Sequence, residues 1–309
     1  MTAAASGAQE CPPAPACRPA AQVRRPVKYG LINPLLELEP SLEFTELRPF
    51  KYKVERLIEV HRSSGAVSHV SVYFRDLMNG PLFGINEKEP FTPASLLKVP
   101  VMMAVFKRAE DEPAFLQQEI RYERMADSMP DIATTTLNSG EFYSVEDLLR
   151  AMIVDSDNGA AFLLRAVSGV GALEEVYTDL GLEIPAIRTS DEPITVREYG
   201  TFFRMLYNAS YLSRAHSQKA LELLSATQYA DGLVAGVPKD VRIAHKFGER
   251  SDPAGDVRQL HDCGIVYYPS RPYLLCVMTR GRDFGKMSAL IAAVSRTVYS
   301  EVASEAPKP

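Results

Sequence analysis

A serine and a lysine three residues apart, Ser95 and Lys98, follow the run Phe91-Thr92-Pro93-Ala94. On a helix starting near Pro93, positions three apart share a face, so the Ser95 hydroxyl and the Lys98 amine can meet. Such a pair can act as nucleophile and base. A helix start with a solvated lysine is the plainer reading of the same residues. Two more polar islands follow, Ser156-Asp157-Asn158 and Lys246-Phe247-Gly248. A serine hydroxyl is a weak nucleophile at neutral pH, and Lys98 can take its proton only if neutral. That condition calls for burial and a nearby positive charge. The chemistry indicated is attack by an activated serine.

The elements that must position these islands are readable from periodicity. Val54, Leu57, Ile58 and His61 recur at helical spacing. From Val67 to Leu77, Val70, Val72 and Phe74 alternate with polar residues as in a half-buried strand, and Asn79-Gly80 predicts a hairpin returning over Pro81 to Asn86. From Thr92 to about Ala226 the pattern is helical. Ser144 and Thr195 open capping boxes, Ser213 caps a further helix, and Pro100 kinks or tightens the helix after Ser95. The second island falls in a cluster of turn formers between two helices, where Asp157 is expected to hold the turn. Strands are predicted over Val241 to Phe247, Cys263 to Tyr268 and Tyr273 to Thr279, and a closing helix over Leu290 to Val302. The expected class is α+β: a five-stranded antiparallel sheet covered by terminal helices, with an inserted all-helical block.

The 309 residues are 46% hydrophobic and 24% charged, with a net charge of -5 and no basic block. These values fit a globular protein and argue against nucleic acid or an anionic membrane surface as partner. No apolar run reaches the ~18 residues of a membrane span. Residues 1–25 lack the apolar core of an export signal. The Pro/Ala-rich residues 1–26 are expected to be a disordered leader, with 27–49 extended. A single catalytic domain is expected over 50–303, its sheet part 50–90 plus 241–303 and its helical part 91–240, before a tail at 304–309. Cys11, Cys17, Cys263 and Cys276 show no metal spacing. All four are read as reduced, Cys263 and Cys276 packing on neighbouring strands as small apolar residues.

In order, separation and element, the three islands resemble the S-x-x-K, S-D-N and K-T-G motifs of the penicillin-recognising serine enzymes, and most nearly the class A β-lactamases. The likeness spans roughly residues 50–303. Asn158-Gly159-Ala160-Ala161 and Gly236-Val237-Pro238 add local agreement. The resemblance implies a β-lactamase/transpeptidase-like fold and a hydrolase that opens β-lactam rings through an acyl-enzyme on Ser95. It makes Lys98 the general base and Ser156 the relay of a proton to the departing nitrogen. Asn158 would hold Lys98 and the substrate amide, and Lys246 would attract a substrate carboxylate across the cleft. The Ser95 backbone N–H, at a helix N-terminus, and that of Glu249 would receive the oxyanion, with Phe247 and Gly248 lining the substrate site. The implied partner is a β-lactam or cell-wall peptide, met outside the cytoplasm by a monomer without metal or organic cofactor.

Two departures qualify this. Phe247 stands where the family has a hydroxyl residue that holds the substrate carboxylate. Either Phe247 points away and the backbone suffices, or the substrate differs from a simple penicillin, with His245 and Arg250 as replacement donors. The stretch from Leu182 to Ile194 is also too short for the family's loop, whose glutamate activates the water that releases the acyl group. Glu183 and Glu192 are the substitutes within it. Without such a base deacylation is slow, and a penicillin-binding protein or D-alanyl-D-alanine peptidase becomes the alternative. A non-catalytic binder of cell-wall peptides is a third reading, disfavoured by the full set of proton-transfer groups.

Overall fold

The computed structural model describes residues 30–32, 44–65, 67–78, 80–124, 136–182, 193–252 and 256–305. The leader, Cys11, Cys17, Asn79, Glu183 and Glu192 lie outside them. In chain order the elements are α1 (Arg48–Ser63), β1 (Val67–Asp76), β2 (Leu82–Ile85), β3 (Pro90–Phe91), a 3-10 turn (Ala94–Leu97) and α2 (Lys98–Asp111). There follow β4 (Glu119–Arg121), β5 (Phe142–Ser144), α3 (Val145–Val154), α4 (Asn158–Val167), α5 (Ala172–Asp179), β6 (Ile194–Thr195), α6 (Val196–Asn208) and α7 (Arg214–Ser225). The chain closes with β7 (Ile243–Ser251), β8 (Arg258–Val266), β9 (Tyr273–Gly281) and α8 (Phe284–Glu305).

The expected architecture is present: five antiparallel strands in the order β2-β1-β9-β8-β7. Alternation splits β1 between two cores. Val72 and Phe74 face α1 and α8, packing with Val54, Ile58, Val294 and Val298, whereas Tyr73 faces the helical block. Phe50, Phe74 and Phe83 meet with centroids 5.0 to 5.2 Å apart. In the other core α2 is buried nearly all round from Val99 to Phe106, as befits a helix at a domain centre. Both predicted capping boxes form, and Ser213 caps α7.

Three readings change. Ser95 does not sit on the α-helix; it lies in the tighter 3-10 turn before α2, and Pro100 falls in the first turn of α2, where no backbone donor is needed. Strands β7 to β9 are longer than predicted: β7 runs on through Glu249 and Arg250, β8 begins at Arg258 and β9 continues through Arg280 to Gly281, polar ends that break the apolar pattern. The third change is a disulfide joining Cys263 to Cys276, directly opposite on β8 and β9 with Cα atoms 4.0 Å apart. In the β7–β8 ladder Cys263 belongs to the set whose backbone groups face β7, fixed by the Tyr267 N–H to Arg242 and Asp252 N–H to Val257 bonds. Towards β9 it is therefore a non-hydrogen-bonded pair, the closer kind, whose Cβ atoms approach within bonding reach.

Candidate active site

The 3-10 turn carrying Ser95 is held from several sides. Gly248 of β7 runs so close beneath it that an added Cβ would lie 2.8 Å from the Pro93 carbonyl oxygen and 3.0 Å from the Leu96 nitrogen. Past that gap reach two side chains of β8. His261 Nε2 donates to the Thr92 carbonyl at 2.9 Å, and the Gln259 amide oxygen accepts from the Thr92 N–H at 3.2 Å. From α6 the Tyr199 hydroxyl donates to the Leu96 carbonyl at 3.0 Å. Ala94, just before the serine, takes φ +50°, an uncommon value for a non-glycine residue and one often found at functional sites.

His261 accepts the Thr279 N–H on Nδ1 at 3.2 Å while donating through Nε2, so the ring is neutral. Burial pushes it down from 6.5 to about 4. A depressed value means the unfolded chain binds more protons between these limits. The stabilisation is complete above pH 6.5 and lost as pH falls through about 4, amounting to about 3 kcal/mol. Urea midpoints for the wild type should fall over that window more steeply than for His261→Gln; parallel curves would contradict the assignment.

The second island sits where α3 gives way to α4. Asp157 caps α4, accepting the Ala160 N–H at 2.7 Å. The Tyr122 hydroxyl donates to its two carboxylate oxygens at 3.1 and 2.9 Å. Gly159 is required beside that ring, since a Cβ would come within 2.9 Å of it. Ser156 takes φ +59°, turning its side chain and carbonyl together towards Lys98.

Lys98 Nζ lies 3.0 Å from Ser95 Oγ, 3.0 Å from Ser156 Oγ and 2.7 Å from Asn158 Oδ1, and donates also to the Ser156 carbonyl. Two of these four oxygens, the carbonyls of Ser156 and Asn158, can only accept. They take two amine protons, which leaves the third direction, towards the serine hydroxyls, for a proton or a lone pair. Burial pushes Lys98 down from 10.5 to about 7, with the Asp157 and Glu249 charges opposing. Lys246, fully buried, donates to Ser156 Oγ at 2.9 Å and to the Phe247 carbonyl at 3.0 Å. Burial and then the Lys98 charge hold it well below its ordinary value. Burial, rather than the charge of Lys246, is thus what lowers Lys98.

Phe247 stacks on Tyr229 with centroids 4.4 Å apart, and Lys246 Nζ lies 4.3 Å from the centroid of its ring. His245, on the same strand face, bonds Asp262 at 2.8 Å and so is withdrawn from the cleft, whereas Arg250 lines it. The ladder bonds that orient Cys263 leave the odd-numbered residues of β7 facing outward: Thr227 takes the His245 carbonyl, and Lys246 takes that of Phe247. By the same alternation the Glu249 N–H faces the cleft. The cleft, of about 260 Å³, is lined by Ser95, Lys98 and Asn158, with Glu249 the carboxylate among the described residues. Sequence reasoning missed Tyr122, Tyr199, Gln259 and His261, whose contacts span long separations. Phe162 and Arg165, which also line the cleft, were recoverable from their spacing of four and seven after Asn158.

A family model described as the beta-lactamase enzyme family matches residues 49–302. Beta-lactamase L2 of Stenotrophomonas maltophilia is 29% identical over 200 residues, which is 58% of this chain and 63% of that relative's length. Among solved structures, a mutant of PBP-A in an acyl-enzyme complex with penicillin-G superposes with TM-score 0.70 at 24% identity, over 86% of this chain and all of that one. A variant of the reconstructed last common ancestor of Gram-negative class A β-lactamases gives 0.69 at 26% identity, over 82% and 99%. With the fold, the three islands and the matched span in agreement, the chain belongs to the beta-lactamase enzyme family.

Proposed function

We propose that the protein is a serine hydrolase of class A type that opens β-lactam rings through an acyl-enzyme on Ser95. The observation that carries this is the arrangement at Lys98: two carbonyl acceptors claim two protons of an amine 3.0 Å from Ser95 Oγ, and its value lies at about 7. Neutral Lys98 removes the Ser95 proton as Oγ bonds the carbonyl carbon. The backbone N–H groups of Ser95 and Glu249 receive the oxyanion, each worth about 3 kcal/mol. Ser156, hydrogen-bonded to both lysines, delivers a proton to the nitrogen as the C–N bond breaks. Asn158 orients Lys98 and the substrate amide, and Lys246 supplies positive potential. Phe247 and Gly248 contribute backbone to the substrate wall, so a carboxylate would rely on Arg250 rather than on a hydroxyl.

The base must be unprotonated, so the second-order rate of acylation by benzylpenicillin should rise about tenfold per pH unit below 7 and level above it. A rate that is flat or falls across that range would rule out Lys98.

The short segment between Leu182 and Pro193 favours a second reading, a penicillin-binding protein or D,D-peptidase with slow release. Hydrolysis of a chromogenic cephalosporin against release of D-alanine separates the two. The buried disulfide supports work in an oxidising, extracytoplasmic compartment. Among the described residues no helix is long and apolar enough to cross a membrane.

A further inference from the structure

The cleft continues past the reacting groups. Its α4 wall is Asn158, Ala161, Phe162 and Arg165, spaced so that one helix face presents them together. Phe162 is 59% exposed, an aromatic ring at the cleft rim instead of in the core. Val101, on the facing helix α2, and Arg165 also line a second cavity of about 230 Å³, so Arg165 stands where the two cavities meet. The charges are ordered along this path. Glu249 lies at the Ser95 end, with Arg250 following it on the β7 wall, and Arg165 lies at the far end, seven residues or about 10 Å along α4 from Asn158.

We infer that this stretch is a subsite for the acyl side of the substrate, taking an apolar chain against Phe162 and Val101 and a terminal carboxylate at Arg165. Apolar walls with a few placed polar groups are the usual make-up of a ligand site, and a guanidinium matches a carboxylate with two parallel hydrogen bonds. The substrate class is an amide, cyclic or open, whose acyl side bears a side chain of about six carbons ending in a carboxylate. The inference rests on Ser95 as nucleophile, and its chemistry is the same: Oγ to carbon forms, carbon to nitrogen breaks, and the nitrogen takes the proton.

The test uses 6-aminopenicillanic acid acylated with either hexanoic or adipic acid, two compounds of equal length that differ in the terminal carboxylate. Rates of adduct formation on the Ser95 peptide are read by mass spectrometry at low salt. The adipoyl compound should react about tenfold faster, the difference should vanish in Arg165→Gln, and Arg165→Lys should keep part of it. If Arg165→Gln folds poorly, Arg165→Lys and Phe162→Ala decide: the first weakens the preference and the second slows both compounds. Equal rates in the wild type, or a preference that survives loss of the guanidinium, would overturn the subsite. Neither adduct nor hydrolysis with either compound would instead overturn the Ser95 reading, and the subsite with it.

Discussion

Lys98→Met should lower the acylation rate of Ser95 by about a thousandfold, within the usual range for removing a positioned base, yet leave the fold nearly as stable as before. The two effects separate because burial holds Lys98 at about 7 against an ordinary 10.5. That difference of roughly 3.5 pH units corresponds to about 5 kcal/mol of desolvation cost near neutrality. Methionine removes this cost but also takes the amine donor from the Ser156 and Asn158 carbonyls, at about 1–3 kcal/mol each. Gain and loss nearly cancel, so chemical denaturation should place the variant within about 2 kcal/mol of the wild type. A destabilised variant would make Lys98 a structural residue. Retained acylation would give the base role to another group, with Lys246, bonded to Ser156 Oγ, the first to examine.

Gly248→Ala should cost about tenfold in acylation. Its Cβ would meet the Pro93 carbonyl and the Leu96 nitrogen, both backbone atoms of the Ser95 turn, so neither can swing aside as a side chain would. β7 and the turn must separate by a few tenths of an ångström, moving Ser95 relative to the Glu249 N–H. A misplacement of about 1 Å costs about a hundredfold, so this smaller shift should cost about tenfold. Overpacking of this kind costs about 1–3 kcal/mol in stability, so the variant should still fold. Wild-type rates would show that the turn and the strand are not held in register for catalysis.

Sequence made the proposed reacting groups legible because their spacing is local: Ser95 and Lys98 are three apart, and Ser156 and Asn158 flank a helix cap. Strand and helix types were legible from alternation and capping residues. What periodicity could not convey was register. The disulfide depends on which Cys263 neighbours face β7, the direction of the Glu249 N–H depends on the same count, and a slip of one residue would reverse both. Nor could spacing show that the Phe247 ring stacks on Tyr229, eighteen residues earlier in the chain, with Lys246 Nζ 4.3 Å from its centroid. Nor do side-chain types reveal that Ala94 and Ser156 adopt positive φ, since neither is glycine. Tyr199 and His261 hold the nucleophile turn across separations of 103 and 169 residues, contacts that only the folded sheet and helices bring about.

The central claim is that Lys98 makes Ser95 a nucleophile able to hold an acyl group. Mass spectrometry of the protein mixed with benzylpenicillin, followed by peptide mapping over time, tests it most directly. The account predicts an adduct of one intact penicillin on the Ser95 peptide, absent from Ser95→Ala, and lasting for minutes or longer if no glutamate replaces the missing loop base. An adduct on another residue, an adduct that persists in Ser95→Ala, or neither adduct nor hydrolysis in the wild type would contradict it.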